Sequence, residues 1–432
     1  MFFRSFKLFT AALMTVLLLA ACGSGGPAPA PTGLTVVAGE SSATVSWDMV
    51  AGVEYWVFVG PSSLTPATTS SMQGWFGLPG GNVVLKVSSP YLMAGLANGV
   101  SYSFSVNGRT DSGAGGPGAP SVSVTPRLAG ANWVSGPPLA GGNDLLAATF
   151  GSKTTTTTSG SVTASTLTST TYVAAGSGGA IYYSNDGTTW TSVNYPTGAT
   201  FHGAAFATNY KVVGDGGVVL TSPDAVTWTA QNSGTSKNLY AITSNLVSLN
   251  VAVGAGGTII TSPDAVTWTP ATNSGTTSDL YAVSYSNYNG GTWIAVGAGG
   301  TMVKSVDGVT WQPVANNTSV DLYGITYGFT SLPTATTATT AFVAVGAYGT
   351  VLISTDGVSW ATQTLPGDGT LNAVTYGTQF VVVGAGGNIF TSIDGVNWSL
   401  APAATGQDLY AVVRGSLAYL AVGAAGSNLL SK

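Results

Sequence analysis

The most regular feature of the chain is a recurring pattern of short apolar runs and Gly-rich turns. Its fullest forms are Val296-Gly-Ala-Gly-Gly-Thr-Met-Val-Lys-Ser-Val-Asp-Gly-Val-Thr-Trp311 and Val383-Gly-Ala-Gly-Gly-Asn-Ile-Phe-Thr-Ser-Ile-Asp-Gly-Val-Asn-Trp398. One unit reads as four strands: Asp279-Leu-Tyr-Ala-Val-Ser-Tyr285, Trp293-Ile-Ala-Val-Gly297, Thr301-Met-Val-Lys-Ser305 and Thr310-Trp-Gln-Pro-Val314. Alternation with period two places one set of side chains between neighbouring sheets, and the Gly pairs mark tight turns. Successive units carry Trp190, Trp228, Trp268, Trp311, Trp360 and Trp398, a period of roughly 40 residues. Short strands at that period predict the blades of a β-propeller.

First strands open near Leu145, Phe201, Leu239, Leu280, Leu322, Leu371 and Leu409. Two Thr-rich insertions, 152–171 and 328–341, are expected to be binding tips or disordered decoration. The seventh unit lacks a fourth strand. Ala131-Asn-Trp133-Val-Ser135 resembles Val396-Asn-Trp398-Ser399 and is expected to supply it. The fold predicted for 131–432 is therefore a seven-bladed propeller closed by the strand 131–135, which removes exposed sheet edges.

Residues 31–126 follow another grammar. Leu34-Thr-Val36, Ala43-Thr-Val-Ser-Trp47, Tyr55-Trp-Val-Phe-Val59, Tyr102-Ser-Phe-Ser-Val106 and Ser121-Val-Ser-Val-Thr125 predict a two-sheet sandwich. Pro31, Leu34, Trp47, Tyr55, Val57, Leu96, Gly99, Tyr102, Phe104, Val106 and Pro120 fall where this segment resembles a fibronectin type III domain. The turn Leu96-Ala-Asn-Gly99-Val-Ser-Tyr102 resembles the one that places that family's corner tyrosine. The domain is expected to be a spacer. Trp75 and Phe76, in the longer stretch after Val59, are expected either as an exposed binding tip or tucked against the sandwich edge.

At the N-terminus, Arg4 and Lys7 precede an apolar stretch from Leu8 to Ala21, too short for an ordinary membrane span. With Leu19-Ala20-Ala21-Cys22 it resembles a bacterial lipoprotein signal. The resemblance implies removal of 1–21, acylation of Cys22, a tether over 22–30 and attachment to a membrane. Gly23 in place of Asp implies the outer membrane of a two-membrane cell envelope. Cys22 is the sole cysteine, so packing alone must stabilise the fold.

Charged residues make up only 6% of the chain, with 11 basic against 16 acidic. Nucleic-acid binding needs a basic face, and none is evident, so no nucleic-acid partner is expected.

Six segments pair Ser and Asp ahead of each Trp: Ser184/Asp186, Ser222/Asp224, Ser262/Asp264, Ser305/Asp307, Ser354/Asp356 and Ser392/Asp394. They resemble the Asp-box, or BNR repeat, of sialidases and related propellers, one residue shorter between Asp and Gly. Ala225 and Ala265 stand where the other copies have Gly. Over about 131–432 the wider resemblance is to the WD40/YVTN/BNR-like superfamily, including photosystem II assembly factor-like repeats. Six copies of one carboxylate point to a structural role, in which Asp and Ser bond across the hairpin and Trp packs on the blade.

The sialidase set implied by that resemblance is missing: the propeller has one arginine, Arg414, and no glutamate, since Glu40 and Glu54 lie in the sandwich. No catalytic residue is assigned. With one histidine, His202, and one cysteine, a His/Cys metal cluster is excluded, and no metal or other cofactor is expected. Outside the hairpins, Asp144, Asp279, Asp321 and Asp408 open first strands, with Asn238 and Asn372 in two other blades. Together with His202 and Asp215 they form a candidate polar rim at one mouth of the channel; turn capping is the structural alternative. Asp215 interrupts the Val-Gly-Ala-Gly-Gly pattern without an evident partner.

The function expected is that of a non-enzymatic surface lipoprotein whose propeller binds an envelope or extracellular protein, in assembly or attachment. Polysaccharide binding is the alternative, and a glycoside hydrolase with an Asp-only site the third reading.

Overall fold

The structure, a computed structural model, describes residues 26–111, 113–139, 141–159, 162–193, 195–245, 248–287, 291–330, 339–367, 369–416 and 418–431, without the side chains of 154–168. The leader and residues 22–25 of the tether, Cys22 among them, lie outside the described residues. Internal contacts divide the chain into two units, Met1–Leu128 and Ala129–Lys432.

In the first unit, strands Thr35–Gly39, Ser42–Ser46 and Tyr91–Ala94 form one antiparallel sheet. Asn82–Val84, Glu54–Pro61, Tyr102–Arg109 and Val122–Val124 form the other, in that order. Ala43, Val45, Trp47 and Met93 meet Tyr55, Val57, Phe104 and Val106 in the core between them. The stretch after Val59 does not form an exposed aromatic tip. Trp75 is 1% exposed and packs with Phe58 and Met72. Half-buried Phe76 meets Phe58 edge-on, with ring centroids 5.3 Å apart. The physical reason is that the outer face of Glu54–Pro61 carries Trp56 and Phe58, which need an apolar cover.

The second unit is a propeller-like succession of antiparallel sheets, seven of them four-stranded among the described residues. The innermost strand of each meets the innermost strand of the next, and Leu409–Arg414 meets Leu145–Ser159, so the succession closes in a circle. In the last sheet the order is Leu409–Arg414, Tyr419–Gly423, Asn428–Ser431, Trp133–Ser135. Second strands are buried where they cross the sheet centre, as at 250–254, 293–297 and 380–384, because alternate residues feed the cores on either side. Val251 and Val253 pack towards Leu280, Trp293 and Trp311, while Ala252, between them, packs with Val213 and Leu239. The Thr-rich segment after Phe150 continues the strands: Leu145–Ser159 pairs with Val162–Gly176 along a long hairpin. β-Branched Thr suits that extended pairing. Most of 328–341 lies outside the described residues.

Candidate functional site: the channel mouth

The six Ser/Asp hairpins are self-contained. In the copy at Asp307, Ser305 Oγ donates to Asp307 Oδ1 (2.8 Å), and the same oxygen accepts the backbone N–H groups of Val309 and Thr310, both at 2.8 Å. Trp311 Nε1 then donates to Gly308 O (2.9 Å). The carboxylate bonds recur at Asp186, Asp224, Asp264, Asp356 and Asp394, and the indole bond recurs at Trp228, Trp268 and Trp398 but not at Trp190 or Trp360. Backbone N–H donors hold the Asp264 and Asp356 carboxyls at about 2. At Asp394 burial acts the other way, but the bonds from Asn397 and Val396 outweigh it, and the value is again about 2. The residue after each Asp is left-handed, with φ 76° at Gly308 and 67° and 63° at Ala225 and Ala265. The two alanines therefore keep the loop conformation. Trp133 completes the series, since its Nε1 donates to Gly130 O at 2.9 Å. These carboxylates are engaged within their own turns.

The innermost strands are different. Each is bulged one residue after its opening apolar residue: the register shifts between Leu239 and Ala241, Leu280 and Ala282, Leu322 and Gly324, and Leu409 and Ala411, and at the matching points of the other three. A bulge re-aims the residue it releases from pairing. The released residues are Leu146, His202, Tyr240, Tyr281, Tyr323, Asn372 and Tyr410, and all seven line one cavity of about 490 Å³. His202, Tyr240, Tyr281 and Tyr323 form a continuous arc, with successive ring centroids 5.5, 5.6 and 5.4 Å apart. Burial raises the tyrosine pKa values, and nearby carboxylates add to it: Asp279 at Tyr240, Asp321 and Asp279 at Tyr281, Asp321 at Tyr323, Asp144 and Asp408 at Tyr410. The phenols are therefore neutral at physiological pH.

Just outside this ring the rim carboxylates brace one sheet against the next. Asp279 Oδ1 accepts the N–H of Gly256, Asp321 that of Gly299 and Asp408 that of Gly386, each at 2.7 Å. Asp144 accepts from Ala425 at 2.9 Å, and Asn238 does the same job for Gly216 at 2.9 Å. Asn372 does not belong to this set. It follows Leu371, whereas the braces precede their apolar residue, so it sits at the bulge and donates Nδ2 to Leu409 O (2.8 Å). Thr370 holds the brace position in that sheet.

Asp215 has a partner after all. His202 Nε2 lies 2.8 Å from Asp215 Oδ1, and Thr200 N donates to Asp215 Oδ2 at 3.2 Å. Burial pushes the Asp215 carboxyl upward, but the bonds from His202 and Thr200 win and leave it below its usual value.

The aromatic members of the mouth escape a sequence reading that follows charge. The signal was present: Tyr240, Tyr281, Tyr323 and Tyr410 each stand one residue after the opening Leu. Tyr348 is another. It occupies the left-handed centre of a turn (φ 55°), where the matching turns have Gly178, Gly216, Gly256, Gly299, Gly386 and Ala425, and it is 67% exposed. It lies close enough to Tyr323 to perturb its ionisation.

No protein-family model and no curated protein sequence matches this chain. Among solved structures, YCF48 bound to D1 peptide is similar, with a TM-score of 0.53 and 15% identity over 71% of this chain and 98% of that one. At that identity the likeness is one of fold, and it supports a propeller-like, all-β architecture for this chain.

Proposed function

We propose that this chain is a non-enzymatic, lipid-anchored protein of a bacterial cell envelope, and that its seven-bladed propeller binds a segment of a protein partner at the channel mouth. The observation that carries the reading is the ring of bulge residues: seven strands each aim one side chain into the same cavity, and four of the seven are tyrosines. Tyrosine gives large contact area with a polar tip and is enriched where partners dock. The fold likeness to YCF48, whose structure holds a D1 peptide, favours a peptide as the ligand class.

Anchoring through Cys22 rests on the lipobox-like Leu19-Ala20-Ala21-Cys22, and the outer membrane is favoured by Gly23. A fibronectin type III-like spacer for 31–126 is favoured by the three-plus-four strand order and by Ala97 N donating to Tyr102 Oη (3.2 Å), the bond of a tyrosine corner. The non-enzymatic reading is favoured by the carboxylates themselves: hairpin and brace oxygens are engaged by backbone N–H groups. An acid catalyst also needs a raised carboxyl pKa, whereas Asp215 is lowered.

A second reading, polysaccharide binding, is favoured by the half-exposed Tyr240–Tyr281–Tyr323 arc, whose faces suit sugar rings. The test is affinity purification of the full-length lipoprotein from its own cells. A stoichiometric envelope protein lost in a Tyr240→Ala/Tyr281→Ala/Tyr323→Ala variant, but kept in Val266→Thr, supports protein binding. Retention of polysaccharide without protein favours the second reading.

A further inference from the structure

We infer that the mouth is built for a cationic side chain, an arginine or lysine carried on an extended segment of the partner; this rests on the protein-binding reading above. Among the described residues no lysine or arginine lines the cavity. Carboxylates surround it instead. Asp279 lines it directly; Asp144, Asp321 and Asp408 hold the same register position in three other sheets, and Asp215 is bound to the lining His202. Among the described residues, three cations of this unit are engaged away from the cavity lining. Arg414 stacks over Tyr419 at 4.9 Å, Lys211 is buried, and Lys304 donates to Asp356 O. Exposed Lys237 stands beside Asn238, the one amide among the five braces.

Between the carboxylates stand the faces of neutral tyrosines. A cation over such a face is attracted by the ring, and a carboxylate in the same ring supplies the counter-charge. The carboxylates are spread around the mouth: among the described residues no three His, Cys, Asp or Glu side chains gather to hold a metal ion. A dispersed acidic and aromatic ring suits a planar or flexible organic cation that can reach several partners in turn. Tyr348 adds to the argument independently of charge. A bulky side chain in a left-handed turn is costly, and this one is 67% exposed, within electrostatic reach of Tyr323.

The experiment uses the full chain in detergent and a labelled, end-capped Gly/Ser peptide carrying three arginines, against the same peptide with citrulline, which has the same shape without the charge. Fluorescence anisotropy should give about tenfold tighter binding for the arginine peptide at low salt. The preference should vanish at high salt. It should also vanish in Asp144→Asn/Asp279→Asn/Asp321→Asn/Asp408→Asn, a variant expected to fold because Asn238 already makes the same brace. Tyr348→Gly, which relieves the turn, should weaken arginine binding while raising stability. Equal affinity for the two peptides, or a preference indifferent to salt, overturns the inference. If both peptides bind equally and depend on Tyr281, the cation inference fails and the protein-binding reading stands. If neither binds while a soluble polysaccharide does, both fail.

Discussion

Val134 pairs with Leu430, so a strand that precedes the first sheet of the second unit supplies the fourth position of its last sheet. Trp133 anchors that strand: it is 7% exposed, packs with Tyr419 and Leu429, and donates its indole N–H to Gly130 O. Trp133→Ala is expected to cost about 3–5 kcal/mol, the usual range for a buried aromatic lost to a cavity. Deleting 131–135 should cost more, because it also exposes the edge of Asn428–Ser431. Urea unfolding and limited proteolysis measure both; full protease resistance of the deletion would contradict closure by this strand.

Lys211 is an internal misfit. It occupies a core position filled by Val251, Ile294, Val343, Val381 and Leu420 in other sheets, and it is 1% exposed. Its Nζ donates to Asn209 O at 3.0 Å, and burial lowers its pKa to about 8. Because the folded value lies below the unfolded one, the fold carries the full penalty below pH 8, about 3 kcal/mol. Stability should rise as pH climbs from about 8 to about 10.5, where the unfolded chain binds more protons. Lys211→Met should raise stability at pH 7 and flatten that rise. An unchanged melting temperature in the variant would show that the ammonium finds solvent.

The hairpin carboxylates act in the opposite pH range. Asp264, Asp356 and Asp394 titrate at about 2 in the fold, below the unfolded value of about 4. Their contribution is present above pH 4 and is lost as pH falls towards 2. Tryptophan fluorescence should report an acid transition in that window. Asp356→Asn/Asp394→Asn should make stability less dependent on pH there, and an identical acid profile would refute the assignment.

The braces predict a sharp difference between two substitutions at one site. Asp321→Ala leaves the Gly299 N–H without its acceptor and should cost about 1 kcal/mol. Asp321→Asn keeps an acceptor oxygen and should be nearly neutral, as Asn238 is in its own sheet. Equal losses in thermal denaturation would mean that charge, rather than the bond, holds the seam.

Much of the all-β, propeller-like architecture could be read from the repeat, because glycine turns and period-two alternation act locally. The matching of Ala131–Ser135 to Val396–Ser399 exposed a long-range pairing only because the repeat supplied a template. The mouth was harder to read. The partnership of His202 and Asp215 depends on two strands meeting across a hairpin, and no spacing rule announces it. The tyrosines were hidden in plain repetition, since a residue after Leu at the start of a strand reads as ordinary alternation until a bulge turns it inward. Asn372 was misaligned for the same reason: without the bulge, positions 370 and 372 look interchangeable. Trp75 stayed open between an exposed tip and a tucked position because its apolar cover depends on how a loop folds back over Phe58.

Docking of the partner at the mouth can be read out by site-specific photo-cross-linking in living cells. A photoreactive phenylalanine replaces Tyr281 in the mouth, or Val266, 52% exposed on a Ser/Asp hairpin, as control. Position 281 is expected to give one discrete protein adduct, reduced by co-expression of the full-length protein without the photoreactive residue, and position 266 none. Adducts from 266 alone, or from neither position while the partner still co-purifies, would place docking elsewhere and contradict this reading.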